Sequence, residues 1–477
     1  MQYTIDVNTG DKYDVIVCGG GTAGVFAAIS AARQGMKVLM LERTFSPGGM
    51  LTLGNAGITK FTEHCKDVNL YKNEVLDVLA EKPEKVQVVG GLPKEYAKRM
   101  IANGTALGTN GEAGSYVFTD SYQARLTLIE MLEEADVTVL YDTRVCLANT
   151  DKNKVVSVVV DNKDGFTEFF ADVFIDATGD GDLSALAGVP FHKGASEDDV
   201  AENGATYVGE MQHSGVMYRV RNVDFEKLFQ YLTDNPDRYF QHEFGVMSLD
   251  NVIESYRKGE MCVFRVMIEH PDGWIGRVQV YNLPEKDEAI LLGTFCGAYK
   301  KDGVNALELS QSQHIVQKGA SLNLECVKKV PGFENAKILH APDVGVRETR
   351  HIEGEYRITP LDLVSGRDFE DSIACGGHPV DIHPVPDEIK NMNFNHWRFH
   401  IPYRIMLPKN CENIIVAGRC VSASRIAIGA IRPTAQCMAM GEAAGVAASL
   451  AVKGNVGPKN IDVSMLRKIL TDNGAII

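Results

Sequence analysis

A chain of 477 residues exceeds what one compact core supports and predicts two or three domains; 45 % hydrophobic and 23 % charged residues describe an ordered globular protein. With 48 basic against 63 acidic residues the net charge is −15, which repels phosphate backbones, and no long basic patch offsets it, so no nucleic-acid partner is expected. Ten cysteines without a CxxC pair or finger-like spacing argue for buried, reduced thiols over a redox-active disulfide. The N-terminal stretch MQYTIDVNTGDKYD shows neither a basic leader nor an apolar h-region, and no uninterrupted apolar run reaches spanning length, so a cytoplasmic protein without a membrane partner is expected.

Residues 13–42 read as strand, tight glycine turn, helix and second strand: the apolar run Val15 to Cys18, then GGGTAG, then small residues at helical spacing, then VLML. Gly19 permits the turn, Gly21 lets the backbone approach a pyrophosphate, and Gly24 lets the helix lie close on the sheet. Phosphates are expected on the free amides at the helix N-terminus, where the helix dipole also favours anions. Glu42 ends the second strand, placed to accept from ribose hydroxyls, and an acid there disfavours NADP. Gly48, Gly49, Gly54 and Gly57 then free a loop to run along a bound molecule.

Residues 81–118 are glycine-punctuated and are expected to form a mobile rim. From Asp120 the chain reads as a capped helix followed by a strand ending at Val145, and ADVFIDATGDGDLSALAG as a strand entering the turn Ala177 to Gly181. The alternating stretches MCVFRVMI and RVQVYNL predict antiparallel strands with one wet face; GVNALELSQSQHIVQKGASLNLECVKKV predicts a long helix ended by Pro331.

VGVRETRHIEGEY (344–356) reads as extended, so alternation would set Arg347, Thr349 and His351 on one face and Glu348 and Arg350 on the other. Either Glu348 and Arg350 form an ordinary neighbour pair, or one arginine points into a cleft to hold a carboxylate. Beyond it lie His378, His383, His396, His400, Tyr403 and Arg404. His396 and His400 are four apart but lack an acidic partner at helical spacing, and no metal site is expected. His383 is the preferred proton carrier, because imidazole titrates near neutral pH. The segment 413–452 predicts a strand to Gly418, a loop, and a small-residue helix from about Pro433 whose N-terminus could face the N1/C2=O edge of a flavin.

The glycine motif with Glu42, GGMLT, DATGDGDLSALAG, VGVRETRHIEGEY, DIHP, IPYR and IIVAGRCVSASRIAIGAIRPTAQCMAMGEAAGVAA together resemble the bacterial FAD-dependent oxidoreductase family. That family belongs to the glutathione-reductase-like flavoproteins and is distantly related to fumarate reductase flavoprotein subunits. The resemblance runs from residue 13 to about 452 and implies an α/β fold: an FAD-binding, Rossmann-like dinucleotide domain with an inserted α+β substrate domain. The FAD-binding domain is expected at 1–60, 111–190 and 401–477, a rim insertion at 61–110, the substrate domain at 191–340, and a seam carrying active-site segments at 341–400. The resemblance implies non-covalent FAD, with Gly19, Gly21, Thr22, Ala23 and Gly24 at the pyrophosphate and Glu42 and Arg43 at the adenosine side. It places Gly49 and Met50 along the cofactor and Val145 at adenine through its backbone. Ala177, Thr178 and Gly179 would line the site, and Gly418, Thr434, Ala435, Gln436 and Cys437 would approach the ribityl chain and flavin.

These expectations describe an FAD-dependent oxidoreductase passing hydride between flavin N5 and a carbon of a small polar substrate. His383 or Tyr403 would move the proton, and Arg347, Arg350 or Arg404 would fix an anionic group. The alternative is a flavoprotein electron-transfer subunit of a larger redox complex, which an iron–sulfur cysteine run would favour; none is present. One glycine motif alone leaves no dedicated NAD(P)H site, so electrons come from substrate, a transient donor or an electron-transfer partner. Homo-oligomer formation, the substrate and the reaction direction stay open at the level of sequence.

Overall fold

The computed structural model describes residues 4–59, 62–64, 85–108, 116–202, 205–240, 248–293, 296–378, 380–382 and 398–477. Its first half builds β1 (Val7–Cys18), α1 (Thr22–Arg33), β2 (Val38–Leu41), α2 (Gly91–Ala102), α3 (Ser121–Glu134), β3 (Thr138–Leu140), β4 (Arg144–Asp151), β5 (Lys154–Asn162) and β6 (Gly165–Asp176). β3, β2, β1 and β6 lie side by side in that order, all parallel, while β6, β5 and β4 form an antiparallel meander at the far edge. Continuous apolar runs suit parallel strands buried on both faces, and all four residues of β2 are buried. Asp120 caps α3, its side chain accepting from the Gln123 amide at 2.9 Å. The single strand expected up to Val145 is broken in two, since Asp142 takes φ +50° and turns the chain between β3 and β4.

A second layer follows: β7 (Phe191–Lys193), β8 (Tyr218–Arg221), α4 (Phe225–Asp234), α5 (Leu249–Arg257), β9 (Val263–Glu269), β10 (Ile275–Asn282), β11 (Ala289–Gly293), α6 (Ala306–Val327) and β12 (Lys337–His340). Strands β9-β10-β11-β8-β12 make one antiparallel sheet. Its inner face, with Tyr218, Phe264, Val266, Val278, Val280 and Leu291, packs on α4, α5 and α6 in a core of its own. Each such buried side chain contributes about 1.5–3 kcal/mol of transfer free energy. Val263, Arg265, Met267, Gln279 and Tyr281 alternate onto the opposite face.

The chain then returns through β13 (Arg350–Ile352), β14 (Ser372–Gly376), β15 (Phe399–Pro402), β16 (Ile414–Val416), α7 (Arg425–Ile431), α8 (Thr434–Gly454) and α9 (Val463–Asp472). β16 pairs in parallel with the last residues of β6 and adds a fifth parallel strand. Helix α7, which the sequence reading took for loop, is opened by the Ser424 hydroxyl accepting from the Ala427 amide. The extended reading of 344–356 holds only for β13, which pairs with β7.

Among the described residues α8 is the one helix long and apolar enough to cross a membrane, yet 83 % of its most apolar stretch is buried inside the protein. It lies directly on α1. A Cβ at Gly441 would stand 2.1 Å from the Ala23 carbonyl oxygen, and one at Gly445 2.4 Å from that of Ala27. Midway along α8 the buried Glu442 carboxylate accepts from the Leu92 amide at 3.0 Å, at the start of α2. Burial pushes this carboxyl up to about 8, partly offset by Arg33 and reinforced by Glu95. A raised carboxyl pKa favours the fold while the group is neutral in both states, and that stability drains away as pH rises from the ordinary 4.5 towards about 8. In urea unfolding, the loss of stability between about pH 5 and about pH 8 is therefore expected to shrink in Glu442→Gln. Identical pH dependence in the two proteins would contradict the buried, neutral acid.

Candidate functional site

The glycine turn between β1 and α1 is packed to the backbone. Gly19 has φ +95°, donates to the Leu41 carbonyl at 2.8 Å, and a Cβ on it would stand 2.6 Å from the Ala177 oxygen. A Cβ on Gly24 would stand 1.8 Å from the Gly19 oxygen, so only glycine fits there. At Gly21, by contrast, a Cβ would meet only the Ala177 oxygen, at 3.9 Å, and that side of the turn is open. No side chain caps α1 and no acid lies in its first turn, so the amides of Thr22, Ala23 and Gly24 present an uncapped positive helix end.

Glu42 is buried; its Oε2 accepts from the Gly20 amide at 2.7 Å and its Oε1 from the Thr44 amide and hydroxyl, each at 2.8 Å. The acid read as a ribose acceptor thus also braces the turn. The second glycine pair lies against the first: Gly48 donates to the Gly20 carbonyl at 2.7 Å, Thr22 Oγ1 donates to the Gly48 carbonyl at 3.0 Å, and a Cβ on Gly49 would be 3.1 Å from Gly21 Cα. Met50 is partly exposed and reaches over Gly54 and Gly345. Val145 stands near the start of β4, two residues after Thr143, whose amide donates to the Glu42 carbonyl at 3.0 Å.

The turn after β6 closes the opposite side. Asp176, fully buried, accepts from the amides and hydroxyls of Thr178 and Ser184, and burial raises its pKa. The Ala177 amide donates to the Cys18 carbonyl at 2.9 Å, and Gly179 takes φ +75°. Burial opposes the charge of Asp180, but Arg419 at 2.8 Å overcomes it with help from Arg43, whose Nη1 is 3.9 Å away. Arg350 donates to the Asp180 carbonyl at 2.8 Å and to Asp182 Oδ1 at 2.7 Å. Gly418 has φ +94° and lies over Ala23, to whose Cβ a side chain would come within 3.2 Å.

Helix α8 also starts without a capping side chain or a first-turn acid. Thr434 Oγ1 donates to the Gly57 carbonyl at 3.0 Å, which draws the glycine loop to this helix end. Ala435 is buried, and burial pushes the Cys437 thiol up to about 12. Gln436 is fully buried, and among the described residues neither polar atom of its amide has a partner. Such a group calls for a ligand atom or water. Two uncapped helix ends, a turn that admits no Cβ and an orphaned buried amide fit a dinucleotide with a flavin at α8, and these residues would hold it.

The 344–356 segment divides its polar residues between two tasks. Glu348 and His351, assigned by alternation to opposite faces, are bonded to each other, Oε1 to Nε2 at 3.0 Å, because the regular strand starts only at Arg350. Glu348 Oε2 and Glu210 Oε1 lie 3.4 and 3.3 Å from the buried guanidinium of Arg425, and Lys300 is 3.0 Å from Glu210. His351 stacks on His192 at 4.8 Å, where burial first, then the neighbouring His351, lowers the His192 pKa to about 3. This is a buried charge network joining the two layers.

Arg347 stands apart from that network. Its Nη1 donates to the His213 carbonyl at 2.7 Å and, among the described residues, the side chain makes no ion pair. Burial lowers its pKa, partly offset by Asp381, with Arg432 adding repulsion. Asp381 in turn accepts from Arg432 at 2.8 Å, two residues before α8.

A family model described as FAD dependent oxidoreductase matches residues 14–470. The chain belongs to that family. This oxidoreductase is similar to Protein FixC of Bradyrhizobium diazoefficiens, 31 % identical over 190 residues, 38 % of this chain and 40 % of that one. It is also similar to a digeranylgeranylglycerophospholipid reductase of Picrophilus torridus, 26 % identical over 217 residues, 45 % of this chain and 48 % of the other. The matches thus span less than half the length of these curated relatives. Among solved structures, a geranylgeranyl bacteriochlorophyll reductase-like protein from Thermoplasma acidophilum superposes with a TM-score of 0.47 at 14 % identity, covering 97 % of this chain and 84 % of that one. FAD is the cofactor of the oxidoreductase.

Two residues expected at the substrate lie elsewhere. Tyr403 is a core residue whose hydroxyl donates to the Pro458 carbonyl at 3.0 Å. Arg404 forms a two-toothed pair with Asp371, at 2.9 and 3.1 Å, over the ring of Tyr356. Arg350 is likewise committed to the turn at Asp180 and Asp182, leaving Arg347 as the expected arginine without an ion pair. His383 and His396 fall outside the described residues. Sequence reading missed Arg419, Arg425 and Asp381; the one signal available was a lone cation opening the apolar run RIAIGAI, which needs buried acids to balance it. Gly19→Ala is expected to strain the turn by about 1–2 kcal/mol and to add a clash with Ala177. The purified variant should lose most of its FAD, read as the ratio of flavin to protein absorbance, and full occupancy would overturn this reading of the turn.

Proposed function

We propose that this FAD-dependent oxidoreductase transfers hydride between flavin N5 and a carbon of a small polar organic substrate, bound between the start of α8 and the outer face of the second sheet. One observation carries the reading: Arg347 is a half-buried guanidinium whose one hydrogen bond among the described residues goes to a carbonyl, near the Asp381–Arg432 pair that precedes the flavin-side helix. A cation so placed keeps donors free for a polar or anionic group, and the rigid fork of a guanidinium fixes that group in the plane it needs. When bound, FAD supplies the two-electron exchange. The protein's share is to orient the substrate through Arg347 and to move the proton, for which His383 is the proposed carrier. The distant kinship to fumarate reductase flavoprotein subunits that the sequence suggests accords with such chemistry.

The second layer supports a further part of the proposal. It is an antiparallel sheet rather than a second parallel nucleotide-binding unit, so the other half of the electron exchange falls to a second small molecule or a partner protein. Anaerobic screening of small acids and polyols for loss of flavin absorbance tests the reading. With the substrate that emerges, Arg347→Met is expected to lower kcat/KM roughly 10- to 100-fold while FAD stays bound, and Arg347→Lys to restore part of it. Unchanged kcat/KM in Arg347→Met would reject the role.

A further inference from the structure

We propose that the outer face of the second sheet carries a carboxylate-binding subsite built on Arg265, so that the substrate is an organic acid; this deepens the reading above and rests on it. Along β9, Phe264, Val266 and Ile268 enter the core, which turns Arg265 to the outer face. There it sits opposite Gln279 of β10, and its Nε donates to Gln279 Oε1 at 2.9 Å. The Gln279 amide nitrogen in turn donates to the Tyr281 hydroxyl, so Gln279 is held in place. Arg265 Nη1 is buried and, among the described residues, has no hydrogen-bond partner, and no acid among them pairs with the side chain.

The same face shows what a balanced arginine looks like. Arg219 of β8 has Glu288 on its Nε at 2.6 Å, with Asp120 and Glu285 each 3.7 Å from its guanidinium. Arg265 has instead a like charge, Arg277, as neighbour, and burial followed by that charge lowers its pKa. A half-buried guanidinium with one nitrogen buried and unbonded is costly unless something anionic completes it.

The position of this cation connects it with the reacting end of the cleft. Tyr281 stacks on Phe118 with ring centres 4.4 Å apart, and Phe118 packs on Gly57, where an added Cβ would be 2.4 Å from its ring. Gly57 accepts from Thr434, the first residue of α8. Thr434, Gly57, Phe118 and Tyr281 thus form a continuous wall from the flavin-side helix to the sheet. Gln279 lies two residues before Tyr281 along β10, roughly 7 Å at a strand's rise. Phe118 and Tyr281 are themselves buried, so a substrate would meet this run at the half-buried Tyr116, which stands edge-on to Tyr281, with the guanidinium beyond it. A single planar fork suits a planar carboxylate better than a phosphate, for which clustered cations are the usual answer.

The test uses the FAD-loaded protein with cinnamate, benzoate and fumarate as probes, cinnamamide as the neutral counterpart and phenyl phosphate as the other anion. Two readouts are followed: the flavin difference spectrum and the rise in melting temperature. At least one carboxylate is expected to bind, with cinnamamide and phenyl phosphate at least roughly tenfold weaker. Arg265→Gln and Arg265→Met should weaken carboxylate binding by roughly 10- to 100-fold with FAD retained, and Arg265→Lys should recover part of it. The proposal is overturned if no carboxylate binds, if the amide or phenyl phosphate binds as tightly as the acid, or if the variants bind the acid unchanged. The wild-type comparison of acid with amide decides the matter even where a variant fails to fold. Arg265-dependent binding of an acid with no substrate ever bleaching the flavin would sink the hydride-transfer reading alone. Bleaching that is indifferent to Arg265 would sink the subsite alone.

Discussion

The backbone of α8 rests on the backbone of α1, and the spacing of the two helix ends that would hold the cofactor follows from that contact. Gly441 lies over Ala23 and Gly445 over Ala27, so the two helices run in the same direction. Gly441 is the eighth residue of α8, whereas Ala23 is the second of α1. The start of α8 therefore overhangs the start of α1 by about six residues, or roughly 9 Å at the rise of an α-helix. Two uncapped positive ends therefore lie side by side, offset from each other along the helix axes. An elongated molecule with a phosphate middle and an electron-accepting end matches that spacing, and a side chain at either glycine would push the helices apart.

The reach of the sequence follows the range of the forces involved. The glycine turn, the Asp120 cap, the antiparallel pair β9 and β10 and the long helix α6 were legible because each depends on neighbours a few residues away. The break at Asp142 was not, since nothing in the local pattern marks which aspartate will take a positive φ. Alternation failed at Glu348 and His351 for a related reason: the rule needs a regular strand, and only Arg350–Ile352 is one.

The cations show the same limit more sharply. Tyr403 and Arg404 stand close in sequence to the last parallel strand, yet one serves the core and the other a surface pair with Asp371. Arg347 and Arg350 are three residues apart and meet different fates, because the acids that neutralise Arg350 come from a turn some 170 residues earlier. Whether an arginine is spent or spare depends on acids distant in the chain. Arg265 drew no notice in the sequence because it looks like any polar residue on a wet strand face; its meaning lies in the missing partner.

The buried network around Arg425 bears on how the cleft is loaded. Arg425 belongs to α7, Glu348 to the seam and Glu210 to the segment that leads into the second layer. Pulling the layers apart would take a fully buried guanidinium away from two carboxylates at once, and separating even one buried partner typically costs about 3–5 kcal/mol. Hinge opening along this seam would then be populated well under one part in a hundred. On the proposed function, a cleft between the layers would be fixed in width, and exchange of small molecules would fall to its rim rather than to any movement of the layers.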